Sequence, residues 1–307
     1  MKTLSRLLVL MSCLLTVGFR ANTQPATRPT LPTGIVAERD VNYAGAIGRS
    51  QTLDIFYPAK ADAPAPLIIW VHGGGWSGGD KRDNPALGML KLGYAVASLN
   101  YRFSQEAIYP AQIQDCKGAI RWLRANAQKY NINPKRFGVW GASAGGHLVA
   151  LLGTGGDAKE LEGDIGGNLG QSSSVQCVCD WFGPTDMSVF FKEAAEIPNI
   201  FKADPNGSPI AKLFGGQVSE HLDLVKLANP ITFVKKENPP FLIVHGDKDA
   251  IVPLAQSEIL TEALKKAGVD VHLEVLVGAG HGNGFDKPAL REMMVSFFNK
   301  NLKNAEK

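Results

Sequence analysis

Phe137-Gly138-Val139-Trp140-Gly141-Ala142-Ser143-Ala144-Gly145-Gly146-His147-Leu148 decides how the rest of the chain is read. An apolar run at 137–140 ends in Gly-x-Ser-x-Gly, and a helix-compatible stretch at 147–152 follows at once. A serine hydroxyl is a weak nucleophile until it is held clear of its neighbours and given a base to take its proton. A tight strand-to-helix turn does the first by lifting Ser143 above the sheet edge. Gly141 and Gly145 leave room for the strained backbone, and the helix start favours developing negative charge. A Gly/Ser-rich loop would carry the same five residues, so the reading rests on the strand before it and the helix after it.

Outward from that turn the chain alternates strand and helix patterns. Residues 67–71, 94–99, 175–182 and 241–245 are apolar runs of the kind expected for strands covered on both faces. Residues 35–43, 51–57 and 271–277 complete a set of eight strands. The 51–57 segment alternates Leu53, Ile55 and Tyr57, as a half-buried antiparallel edge would. Helical patterns fall at 84–92, 111–130, 254–267 and 290–302. Alternation of this kind predicts a mostly parallel eight-stranded sheet with helices on both faces, in one α/β domain over 35–307. Residues 185–230 break the rhythm, with Pro198, Pro205 and Pro209 and no clear period. They read as an inserted, partly helical, lid-like segment over the site.

Bulk properties bound the function. At 307 residues, 45% hydrophobic and with a formal charge of +3, the chain has ample core material and no basic block that would predict nucleic acid as a partner. Residues 1–21 combine Lys2 and Arg6 with an apolar stretch at 7–19, the pattern of a secretory signal peptide cleaved near 21–23. That stretch is too short and interrupted for a stable membrane span. Residues 10–13 loosely match a lipoprotein box that would lipidate Cys13, but Met11 fits it badly, so no lipid anchor is expected. The Pro/Thr-rich residues 22–34 read as a flexible leader, and the destination as periplasmic or secreted. Signal removal leaves Cys116, Cys177 and Cys179. One disulfide to Cys116 is allowed, and three buried thiols are favoured. No Cys/His spacing predicts a metal site. Turn and capping roles account for Asp180 and Asp186 more simply than a metal would.

A nucleophile needs a base, a carboxylate to orient it and an oxyanion hole. Among six histidines, only His281 sits in a glycine-rich loop directly after the last strand, where ligands of open α/β sheets bind. For the carboxylate, His245-Gly246-Asp247-Lys248-Asp249 offers two candidates after another strand. Asp249 lies deeper in the turn and, in part through the family resemblance given below, is favoured over Asp247, with Asp286 a distant third. Ala144 supplies one oxyanion N–H by position, and the loop His72-Gly73-Gly74-Gly75-Trp76 can supply others from Gly74 and Gly75. That loop lacks the spacings of phosphate-binding glycine loops. Trp76 and Trp181 are candidate substrate-pocket residues, though ordinary packing explains each equally well.

His-Gly-Gly-Gly-Trp at 72–76, Gly-Ala-Ser-Ala-Gly-Gly-His at 141–147, His-Gly-Asp-Lys-Asp at 245–249 and Gly-His-Gly at 280–282 together resemble an α/β-hydrolase esterase. Gly78-Gly79-Asp80-Lys81 and Asp180-Trp181-Phe182-Gly183-Pro184-Thr185-Asp186 make it most similar to the acetyl xylan/feruloyl esterase-like group known as BD-FAE. It is more distantly similar to hormone-sensitive-lipase-like carboxylesterases. The resemblance implies Ser143 as nucleophile, Asp249 as acid, His281 as base, oxyanion donors at Gly74, Gly75 and Ala144, and no cofactor. The implied substrates are small-molecule or polysaccharide esters. A short-chain carboxylesterase or an arylformamidase-like amidase would use the same parts. A silent binding protein of this fold would be expected to lack a triad residue, and none is missing.

Overall fold

Fully apolar strands must be covered on both faces, and the sheet is arranged accordingly. In the computed structural model, residues 30–45, 50–190 and 208–304 are described. The signal stretch 1–21, Cys13, most of the 22–34 leader and residues 191–207 of the insert lie outside them. The chain divides into two units, Met1–Leu31 and Pro32–Lys307, and the fold lies in the second.

Its strands are β1 (Ile35–Asn42), β2 (Thr52–Pro58), β3 (Ala65–Val71), β4 (Ala95–Leu99), β5 (Ile132–Ala142), β6 (Cys177–Trp181), β7 (Phe241–Gly246) and β8 (Val271–Leu276). They form one eight-stranded sheet in the order β1-β2-β4-β3-β5-β6-β7-β8. The pairs β1/β2 and β2/β4 are antiparallel, and every pair from β4 to β8 is parallel. This is the mostly parallel eight-stranded sheet expected from the strand pattern, in the α/β-hydrolase arrangement that the resemblance implies. The described helices are α1 (Ala111–Ala125), α2 (Ala144–Thr154), α3 (Pro209–Phe214), α4 (Leu222–Ala228), α5 (Leu254–Ala267) and α6 (Pro288–Phe298).

All residues of β3, β4 and β7 are buried, as their unbroken apolar sequences require. Every residue of α2 is buried too, which explains why Ala-Gly-Gly-His-Leu-Val-Ala-Leu-Leu-Gly-Thr has no polar face. One strand departs from expectation. β2 is antiparallel but not an edge, because β1 lies outside it and its residues 52–56 are buried. Its polar position Asp54 faces the buried Lys81 ammonium at 2.6 Å, and Lys81 also reaches Asp40 at 2.6 Å. The alternation in β2 therefore marks an internal ion pair and not a solvent face. Two helices are also shorter or tighter than predicted. Residues 85–92 form a 3-10 helix capped by the Asn84 side chain, and α1 ends at Ala125. Cys116, Cys177 and Cys179 are free and buried.

The parallel register places five loops on one edge. The chain leaves β3 at Val71, β5 at Ala142, β6 at Trp181, β7 at Gly246 and β8 at Leu276, all at the carboxyl ends of parallel strands. These exits carry the glycine loop at 72–75, the Ser143 turn, Phe182, Asp249 and His281.

Candidate active site

Ser143 sits between the end of β5 and the start of α2 with φ 57° and ψ −122°, a conformation that non-glycine residues rarely adopt. The turn survives because its surroundings over-determine it. Ser143 N–H donates to Trp181 O at 2.9 Å, and His147 N–H donates to Ser143 O at 3.0 Å to close the first turn of α2. The α-hydrogen side of Gly145 lies against the Val71 and His72 carbonyls, where any Cβ would collide, and a Cβ on Gly141 would strike the Gly145 carbonyl. Both glycines are required by close backbone approach.

The Ser143 hydroxyl meets an imidazole directly. Ser143 Oγ–H donates to His281 Nε2 at 3.0 Å, and His281 Nδ1–H donates to Asp249 Oδ2 at 2.7 Å. The acceptor-only carboxylate fixes the Nδ1–H tautomer and leaves the Nε2 lone pair for the serine proton. Asp249 Oδ1 accepts the Ile251 and Val252 backbone N–H groups at 2.8 and 2.9 Å. Burial alone would push this carboxyl up. Hydrogen bonds from His245, His281 and the Ile251 N–H outweigh it and hold Asp249 well below the usual carboxylate range.

The two competing carboxylates lie elsewhere. Asp247 Oδ1 accepts the Gly278 N–H at 2.6 Å, tying the acid loop to the histidine loop, and Asp286 is exposed. The other histidines are occupied or remote. His72 stacks on Tyr101 at 4.6 Å, and His272 pairs with Glu274 on the surface.

Gly74 and Gly75, with φ 112° and 59°, face the same cavity as Ser143. The Ala144 N–H is the first of α2 and has no acceptor within the helix. The cavity is about 490 Å³ and is walled mainly by apolar groups, among them Trp76, Phe182, Phe190, Pro209, Ile210 and Val252. Phe182 leaves β6 with φ 43° and sets its ring 4.5 Å from the His281 ring.

A family model described as BD-FAE matches residues 53–264. The chain belongs to the BD-FAE family. It is 34% identical over 84% of its length to the esterase LipQ of Mycobacterium tuberculosis. It spans only 51% to 59% of the length of the first three curated relatives that it matches. Among solved structures, a truncated form of a carbohydrate esterase from gut microbiota is 37% identical, with TM-score 0.79 over 87% of this chain and 96% of that one. An acetyl ester-xyloside bifunctional hydrolase from Caldicellulosiruptor lactoaceticus is 27% identical, with TM-score 0.63 over 82% of this chain and 89% of that one.

In this BD-FAE chain, Trp76 is buried and borders the cavity. Its Nε1–H donates to His147 Nδ1 at 3.2 Å, and His147 Nε2–H donates to Ala228 O at the end of α4 at 2.7 Å. Burial pushes His147 down to about 4 despite that second bond, which keeps the ring neutral and able to accept from Trp76. Trp181 is not in the wall. Its ring packs between Trp140 at 4.8 Å and Phe285 at 5.0 Å, and the next residue, Phe182, faces the cavity instead.

Asp180 accepts the Gly183 N–H at 3.0 Å and Asp186 caps Ser188 N–H at 2.9 Å, so both carboxylates serve turns. Among the described residues no cluster of three or more His, Cys, Asp or Glu could hold a metal, and no helix is long and apolar enough to cross a membrane. Phe190, Pro209 and Ile210 were not predicted as site residues. They come from the described ends of the 185–230 insert, where no periodic signal announces a burial face.

Proposed function

We propose that this chain is an exported, cofactor-free serine esterase that removes acetyl or feruloyl groups from plant cell-wall polysaccharide such as xylan. The Ser143–His281–Asp249 geometry carries the reading. His281 Nε2 takes the Ser143 proton as Oγ attacks the ester carbonyl. The Gly74, Gly75 and Ala144 N–H groups receive the oxyanion. His281 then protonates the leaving alcohol, and water, deprotonated by the same nitrogen, releases the acid from the acyl-enzyme. The carbohydrate-esterase likeness supports a polysaccharide substrate, and the signal pattern at 1–21 supports export.

A general short-chain carboxylesterase is the second reading, favoured by the apolar wall of the cavity. Rates of acetate release from acetylated xylan, ferulate release from methyl ferulate and hydrolysis of p-nitrophenyl acetate separate the two. The proposal expects polysaccharide or feruloyl turnover to dominate in kcat/KM. Activity confined to p-nitrophenyl esters would replace it with the second reading, and undiminished hydrolysis by Ser143→Ala would remove both. Export is tested by N-terminal sequencing of the mature protein, with a start near residues 22–24 expected from the signal pattern.

A further inference from the structure

The catalytic acid is held from two sides, and only one of them is the triad. His245, the last histidine of β7, is fully buried. Its Nε2 lies 2.9 Å from Val252 O and 3.4 Å from Asp249 Oδ2. A carbonyl and an ionised carboxylate can only accept, so Nε2 must carry the hydrogen. That N–H donates to the Val252 carbonyl, and the Asp249 carboxylate lies beside it at 3.4 Å, close enough to feel its partial positive charge. Nδ1 is then left to accept, and the buried Ser257 hydroxyl of α5 meets it at 2.7 Å. The partners on both nitrogens thus set one tautomer, and Ser257 anchors the ring to a rigid helix.

The donors around Asp249 divide cleanly. Oδ1 receives the Ile251 and Val252 N–H groups, while Oδ2 receives His281 Nδ1–H and lies against His245 Nε2–H. Val252 links the two sets, since its N–H binds Oδ1 while its carbonyl accepts the His245 Nε2–H. Removing the His245 N–H frees the Val252 carbonyl and one side of Oδ2 together. The Asp249 carboxylate would then turn more freely about its side chain, and the His281 ring it orients would lose alignment with Ser143.

We infer that His245, held by Ser257, is a positioning residue for the catalytic acid, acting through Asp249 on the orientation of His281. The inference rests on the esterase reading above. It assigns a role to the first residue of the His-Gly-Asp-Lys-Asp motif that the triad does not use.

The test compares His245→Leu, His245→Gln, Ser257→Ala and Ser143→Ala with wild type on p-nitrophenyl acetate. Each kcat is normalised to active sites titrated with a phosphonate ester, so misfolded protein does not count; Ser143→Ala, which has no hydroxyl to titrate, is assayed per folded protein measured by its unfolding transition. His245→Leu is expected to lower kcat about 10- to 100-fold, the scale usual for partners that orient a reacting group, with KM changed less than about twofold. Gln places an N–H donor where Nε2 stood and is expected to recover kcat to within about threefold of wild type. Ser257→Ala is expected to lower kcat several-fold, and it decides the matter if neither His245 variant folds. A merely structural role would lower the titrated fraction or Tm and leave kcat per site unchanged. Wild-type kcat per site in His245→Leu, or in Ser257→Ala where the others do not fold, overturns the inference. Equal impairment by Leu and Gln overturns it too. Activity in Ser143→Ala would instead sink the esterase reading itself.

Discussion

Asp180→Asn is expected to make the protein more stable at neutral pH and to leave it nearly unchanged in acid. Asp180 is completely buried beneath the Ser143 turn, with its Oδ1 between Gly146 and Gly183. Its Oδ2 has no hydrogen-bond partner. Burial pushes the carboxyl from 3.8 up to about 7, against the opposing pull of the Gly183 N–H. Below 3.8 the folded and unfolded chains both hold the proton, and the residue costs nothing. Between 3.8 and about 7 the unfolded chain has released a proton that the folded chain keeps, so stability falls as pH rises. The slope is about 1.4 kcal/mol per pH unit, which accumulates to about 4 kcal/mol above neutrality. Asparagine keeps the acceptor for Gly183 N–H and has no proton to lose. The variant should therefore gain on wild type by roughly 3 kcal/mol between pH 4.5 and pH 8. For a domain of this size that is a Tm gap widening by roughly 6 °C. Thermal unfolding of both proteins across that range measures it. A gap that is constant with pH, or that narrows as pH rises, would refute the burial argument.

Four further expectations follow from the same geometry. Asp249 is held well below the usual carboxylate range and adds no proton uptake near neutrality, so a single catalytic base governs the profile and log kcat/KM should fall by about one per pH unit on the acid side. A steeper limb would mean that a second group must also lose a proton. Gly145→Val should abolish activity and lower Tm, because its side chain would collide with the Val71 carbonyl; an active, folded variant would contradict the elbow geometry. Lys81→Met should destabilise the fold by about 3 kcal/mol by leaving Asp54 buried and unpaired, and denaturant unfolding reads it. His147→Phe should lower Tm and reduce kcat/KM, since it frees the Trp76 N–H in the cavity wall and the Ala228 carbonyl at once.

The parts of this protein that could be read from its sequence are those whose signal is local. Buried strands announce themselves by unbroken apolar runs, which mark β3 to β7, while β2 is marked by alternation. Ser143, Asp249 and His281 each lie in a loop that leaves a parallel strand, so knowing the strands places those loops on one edge. The preference for Asp249 over Asp247 matches the geometry because Asp249 lies inside the turn, against the backbone N–H groups of Ile251 and Val252.

Signals that depend on distant partners were harder to read. Asp54 looked like the polar face of an edge strand because its counter-ion, Lys81, lies 27 residues away. Trp181 and Phe182 are adjacent, and the distant rings of Trp140 and Phe285 that hold Trp181 leave Phe182 to face the cavity. Phe190 and Ile210 meet in one wall although no shared period connects them. The pairing of His147 with Trp76 and of His245 with Ser257 likewise requires the fold before it can be seen.

The central claim is that Ser143 forms the acyl-enzyme. Treatment with a p-nitrophenyl phosphonate, followed by peptide mass spectrometry, tests it most directly. The account predicts one phosphonyl group per chain, on Ser143, with activity lost in proportion to labelling. Full inactivation with the label on another residue, or full activity with Ser143 labelled, would contradict it.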